Sequence, residues 1–283
     1  MERVMIPVEE YAQRRERAAA LVAEAGYDVL VGNGTESDAS VVRYFSAYWP
    51  LFEMGGVAIA PSGRSALMVG MESAEFAVER GVIDNIHLMK EYRETADPEY
   101  PGVAGVGYRE VFESIGVTNP ERIGVAGWLC TNMAMYEGLR EAFPEAEIVN
   151  ADELTASMRA NKSPAVLACL REGFRLGELA LAAMLKAMKP GMTELELAGI
   201  AVAELYANGA EGEAHTVYSF GGRRTTNAIS RSTHEPLRAG EIVQIDVGGR
   251  VDGYSPSVGR PVCLGKMNER QRRLVEFCRE MHY

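Results

Sequence analysis

The stretch Gly240-Glu-Ile-Val-Gln-Ile-Asp-Val-Gly-Gly-Arg-Val-Asp-Gly-Tyr254 decides the fold. Its opening alternates strictly: Ile242, Gln244 and Asp246 share one face of a strand, and Val243, Ile245 and Val247 share the other. Gly248-Gly249 and Asp252-Gly253 supply turn residues, and Val258 to Leu264 returns as a partner strand. A two-stranded hairpin is not stable alone in water, so it requires partners from upstream strands or from another segment. Residues 214–222 read as one such strand, leading into Gly221-Gly222 and a polar loop from Arg223 to Pro236. Further upstream, Ser163-Pro164 is a helix start, with Ser as cap and Pro at the first helical position. That helix runs to about Met188 and meets Lys189-Pro190-Gly191. Thr193-Glu-Leu-Glu196 then fits a capping box, opening a second helix that ends at Asn208-Gly209. Glu269 to Tyr283 begins another helix.

The first 150 or so residues alternate helix-like and strand-like segments. A helix over 8–25 is stopped by Gly26, and Asp28-Val-Leu-Val-Gly32 reads as a short buried strand. Gly56-Val-Ala-Ile-Ala60 and Ser65-Ala-Leu-Met-Val69 flank Pro61-Ser62-Gly63-Arg64, a hairpin signal. Further strands fall at Arg122 to Ala126 and Glu147 to Val149, with helices near 72–80, 105–115 and 131–142. This is an α/β layered domain. With a boundary near 152–163, the expected domains are residues 1–158 and 159–283. The glycines Gly102, Gly105 and Gly107 follow no convincing strand and are no dinucleotide fingerprint.

The chain has 283 residues, 47% of them hydrophobic and 24% charged, which is ordinary for a soluble globular protein of about two domains. Its 29 basic and 40 acidic residues give a formal charge of −11, which argues against a nucleic-acid partner. No run approaches the ~18 apolar residues of a membrane span, and the opening residues lack a secretory signal. A soluble, cytoplasmic protein without membrane attachment is expected. The four cysteines are far apart, with no CxxC pair, and read as packing residues.

Asp246 is the sharpest residue, a carboxylate on a strand with apolar neighbours. On its own it reads either as a strand Asp accepting local hydrogen bonds or as a ligand for a metal or a substrate amine. Taken with Gly259-Arg-Pro-Val262, the hairpin resembles that of the "pita-bread" hydrolases, which include methionine aminopeptidase, prolidase, aminopeptidase P and creatinase. Lys162-Ser-Pro164 resembles the start of that catalytic domain, and Lys189-Pro-Gly-Met-Thr-Glu194 its inter-helix turn. Residues 28–70, including Val42-Arg-Tyr-Phe45, are similar to the N-terminal domain of the prolidase and creatinase branch. The fold implied is an N-terminal creatinase/prolidase-like α/β domain followed by an α+β pita-bread catalytic domain, of which the first half is present.

The resemblance carries roles residue by residue. Metal-dependent members place two Asp on this hairpin, eleven positions apart; Asp246 matches the first, and Ser257 stands at the second. The remaining ligands, one His and two Glu, lie in the half of the fold not present. The resemblance therefore implies the metal-free branch, with no cofactor, and a hydrolase cutting a C–N bond in a small polar substrate. His234 matches the proton-moving loop histidine, although it stands six residues before Gly240 rather than about eleven, in a loop shortened from Asn227 onward. Asp246 would hold a polar or cationic substrate group. Tyr254 and His215 are candidate pocket residues, and His215 also reads as a packing or surface residue. Arg260 is expected to pair with a carboxylate, and Arg223 and Arg224 to lie in a solvated loop or grip a substrate carboxylate. Two alternatives stand beside this reading. One is a Xaa-Pro dipeptidase or aminopeptidase using a divalent metal such as Mn or Co. The other is a non-catalytic binding protein or truncated product. The family's N-terminal domains also imply a homodimer, in which the region of Tyr48-Trp-Pro50 reaches the partner's site.

Overall fold

The computed structural model describes residues 3–94 and 104–282; Gly102 and Val103, from the glycine cluster, lie outside the described residues. The chain divides into two compact units. One comprises residues 7–162, the other residues 3–6 together with 163–282.

The first unit is built on six strands: β1 (Val29–Gly34), β2 (Gly55–Ile59), β3 (Ser65–Val69), β4 (Ile86–Leu88), β5 (Arg122–Ala126) and β6 (Glu147–Asn150), ordered β4-β3-β2-β1-β5-β6. β2 and β3 form the expected antiparallel hairpin, and β1, β5 and β6 run parallel. Period-two alternation splits the core into two layers. Val29 and Val31 pack with Ile123 and Val125 under α4 (Tyr108–Ser114) and α5 (Met133–Ala142), against Phe112 and Leu139. Leu30 faces the other way with Val57 and Ile59. There it meets α1 (Val8–Glu24), α2 (Ser40–Ser46), α3 (Ala74–Arg80) and α6 (Asp152–Ala160) through Val22, Phe45, Ala77 and Met158. Each fully buried aliphatic side chain here is worth ~1.5–3 kcal/mol. Residues 152–160, read from sequence as part of the boundary, form α6 and belong to this unit.

His87 on β4 ties this unit together: its Nε2 lies 3.0 Å from both Asn85 Oδ1 and Ser114 Oγ. Burial pushes its imidazole below the ordinary value of about 6.5. As pH falls through that value, the unfolded chain takes up a proton that the folded network resists. His87 stability is thus present above that range and lost below it. Thermal melts at pH 7.5 and 5.5 are expected to show this loss, and His87→Gln to flatten it.

The second unit has two adjacent helices, α7 (Pro164–Ala187) and α8 (Glu194–Ala207), a sheet of β7 (Tyr218–Gly221), β8 (Ile242–Val247) and β9 (Val258–Cys263), and α9 (Glu269–His282). The expected caps are present. Ser163 Oγ accepts from Val166 N at 3.2 Å, and Thr193 and Glu196 satisfy each other's amides. α7 approaches the hairpin closely because Gly173 lacks a side chain; a Cβ there would meet Gly249 O at 2.7 Å and the Pro256 ring at 2.6 Å. The strand expected over 214–222 is confined to β7, and residues 214–216 bend instead. No disulfide joins the cysteines among the described residues, and no helix among them is long and apolar enough to cross a membrane.

Candidate active site

The register of the three-stranded sheet assembles the site. β7 and β8 are antiparallel with Tyr218 opposite Asp246, and β8 and β9 are antiparallel with Asp246 opposite Gly259. Tyr218, Asp246 and Gly259 therefore share one face. The other face turns Val243, Ile245 and Val247, all fully buried, toward the helices. Ser219 on that face donates to the Glu194 carbonyl at 2.7 Å, locking β7 to α8. Gly259 leaves the space before the carboxylate open: the nearest atoms to a Cβ there would be those of Asp246 itself, 3.8 Å away.

Two side chains converge on Asp246. The Ser257 hydroxyl donates to Oδ1, and His215 Nε2 lies 3.6 Å from the same oxygen. His215 Nδ1 lies 2.8 Å from the Thr216 carbonyl oxygen, which can only accept, so Nδ1 carries a proton. Nε2 is then the nitrogen that can take and return a proton beside Asp246. The ring also packs on Tyr218, with centroids 5.1 Å apart. Asp246 is one-quarter exposed and His215 about one-third, so both are accessible to a solute.

His234 is exposed in the loop before β8, where the flanking carbonyls of Thr233 and Glu235 accept from the first turn of α8. The His234 side chain makes no hydrogen bond or ion pair among the described residues. Tyr254 closes a tight turn through paired 2.9 Å backbone bonds with Val251. Arg260 donates to the Gly259 carbonyl at 2.7 Å and makes no ion pair among the described residues, which corrects the expected carboxylate partner.

Arg224 is not a free substrate grip. It pairs at 3.0 Å with Glu194, a carboxylate only 1% exposed, and lies over the Phe220 ring. Glu194 also accepts from Gly221 N at 3.0 Å, Thr233 N at 2.9 Å and Thr233 Oγ1 at 3.0 Å. This hub closes the ends of the 221–233 loop onto α8. Sequence reasoning missed it: the capping-box pattern selects Glu196, and an acid in the first helical turn ordinarily signals only a favourable dipole contact.

The metal-dependent branch of the resembling family requires a dense set of anionic oxygens here, because each ligand charge offsets the cation's lost hydration. The residues present do not fit. Ser257 offers a hydroxyl that is itself a donor to Asp246 Oδ1, consuming acceptor capacity that a cation would need. No three His, Cys, Asp or Glu side chains converge among the described residues.

The Creatinase/Prolidase N-terminal domain profile matches residues 14–161, and the profile described as metallopeptidase family M24 matches residues 168–283. A Xaa-Pro dipeptidase of Pyrococcus furiosus is 23% identical over 239 residues, spanning 84% of this chain and 62% of that protein. The crystal structure of a prolidase from Pyrococcus horikoshii aligns with a TM-score of 0.75 at 20% identity, over 93% of this chain and 68% of that one. A prolidase from Thermococcus sibiricus aligns with a TM-score of 0.77 at 16% identity, over 95% and 70%. The chain thus spans about three fifths of the length of the curated dipeptidase it matches. With both units matched in order, the chain belongs to the creatinase/prolidase family, joining its α/β N-terminal domain to part of the M24 pita-bread domain.

Proposed function

We propose that the protein hydrolyses a C–N bond in a small polar substrate without a dinuclear metal centre. The observation that carries this reading is the Asp246 carboxylate held by the Ser257 hydroxyl, with His215 Nε2 beside it. Asp246 supplies a fixed negative charge for a substrate ammonium or guanidinium, a charge-assisted contact with N–H donors. His215 takes a proton from water as the water oxygen attacks the substrate carbon. It returns that proton to the nitrogen as the C–N bond breaks. The proton-moving role expected of His234 passes to His215 in this reading, because His215 is the imidazole next to the carboxylate.

A second reading, a metal-dependent Xaa-Pro dipeptidase, is favoured by the name of the Pyrococcus furiosus relative. Amine release from Xaa-Pro dipeptides and from small guanidino and amide compounds, measured in EDTA and then with Mn²⁺ or Co²⁺, separates the two. The first reading expects turnover in EDTA. Under it His215→Ala loses about 10²-fold or more, and His234→Ala changes the rate less than about threefold. Turnover only with added metal supports the dipeptidase, and the opposite ranking of the two histidine variants returns the role to His234.

A further inference from the structure

The turn before β9 carries a residue whose conformation the hairpin alone does not explain. Val251 and Tyr254 bond each other across Asp252 and Gly253, which have φ of +44° and +84°. Two consecutive positive φ values make this a primed two-residue turn, matching the right-handed twist of the chain around it. Glycine adopts that conformation without strain, whereas an L-residue such as Asp252 is disfavoured there. Asp252 uses its side chain outside the turn. Its Oδ2 accepts from Ile6 N at 2.7 Å, and Ile6 is only 3% exposed. Glu211 makes a parallel link: one oxygen takes the Arg3 guanidinium at 3.0 Å and the other takes Gly253 N at 3.2 Å. Residues 3–6 are thus bonded to the same turn through two carboxylates. They belong to the unit that contains it, while the helix they precede belongs to the other.

We propose that residues 3–6 are a strap that positions the 251–257 loop, with Asp252 and Glu211 as its anchors, so that Ser257 meets Asp246. Asp252 is a positioning residue, and its functional consequence rests on the reading of Asp246 and Ser257 as the working site. Only two residues, Ser255 and Pro256, separate Tyr254, where the turn closes, from Ser257. A loop free at the turn gains freedom at the serine.

Amide hydrogen exchange over residues 250–257 tests this. Asp252→Gly keeps the turn, since glycine suits a positive φ, and removes the carboxylate that accepts from Ile6 N. A residue needed for the turn alone therefore leaves exchange unchanged in this variant. The strap predicts about tenfold faster exchange, the scale of one hydrogen bond to a charged group. Ile6→Pro removes the donor, and its effect is expected not to add to that of Asp252→Gly. Should Ile6→Pro fail to fold, Arg3→Ala, which cuts the parallel link through Glu211, is expected to speed exchange over the same residues. Unchanged exchange in Asp252→Gly, or full additivity in the double variant, overturns the strap. Exchange reads the strap whether or not any substrate is turned over, so a failed coupling leaves the reading of Asp246 standing, and an inactive protein leaves the strap standing.

Discussion

Asp246→Asn is expected to lower turnover about 10²–10⁴-fold while moving the melting temperature little. The substitution is nearly isosteric, and the amide oxygen can still accept from Ser257, the donor that now reaches Oδ1. What disappears is the charge. Asp246 is one-quarter exposed on a sheet face whose opposite side carries the packed core, so losing that charge costs little folding free energy, within about 0.5 kcal/mol. Under the proposed mechanism the loss falls on two steps. The substrate cation loses its counter-charge, and the imidazolium that forms on His215 during proton transfer loses its stabilising neighbour at 3.6 Å. General acid–base catalysis contributes typically 10²–10⁴-fold, which sets the scale. Steady-state kinetics beside thermal melting separate the outcomes: wild-type turnover in a folded Asp246→Asn protein removes the carboxylate from the mechanism, and an unfolded variant makes it structural.

The largest effect on stability is expected at Glu194. Its carboxylate is 1% exposed and collects Arg224, Gly221 N, Thr233 N and Thr233 Oγ1. Removing one partner of a buried, hydrogen-bonded pair leaves the other desolvated without compensation, at a cost of about 3–5 kcal/mol. Glu194→Ala strips acceptors from two backbone amides and a guanidinium at once. At ~2–4 °C per kcal/mol for a protein of this order of size, the melting temperature is expected to fall by on the order of 10 °C. Glu194→Gln keeps an oxygen for the Thr233 amide and loses the ion pair, so its loss is smaller. Replacing Glu194 and Arg224 together by Met and Leu is expected to recover much of the loss, since a well-packed apolar pair can stand in for a buried ion pair. Denaturant melts of the three variants test the ordering; a Glu194→Ala protein as stable as wild type means the loop is held by other contacts.

The strands and helices legible in the sequence are those whose signals are local. The alternation of Ile242 to Val247, the Ser163-Pro164 start and the Thr193 to Glu196 capping box depend on neighbours within a few residues, and each is found in the structure. β4 and α2 were not legible. β4 has three residues, and its place at the sheet edge is set by pairing with β3. α2 has seven residues and lacks a side-chain cap. At the site, Asp246 stood out through strand alternation, and Ser257 through the resemblance, whose metal-dependent members carry a second Asp eleven positions on. The histidine was harder. His234 stands six residues before Gly240 rather than about eleven, and its neighbourhood depends on how the chain from Gly221 to Thr233 closes on Glu194, 27 or more residues away in sequence. His215 reaches Asp246 because the chain bends before β7, which no local periodicity encodes.

The proposed site joins a hydroxyl at Ser257 to Asp246 as a receptor for N–H donors, where a paired carboxylate would give a metal centre. Metal analysis of the purified full-length protein, by plasma mass spectrometry with equilibrium dialysis against Mn²⁺, Co²⁺ and Zn²⁺, addresses it directly. The expected result is substoichiometric metal together with hydrolysis that persists in EDTA. Two tightly held divalent ions per chain, required for turnover and lost in Asp246→Asn, would contradict it.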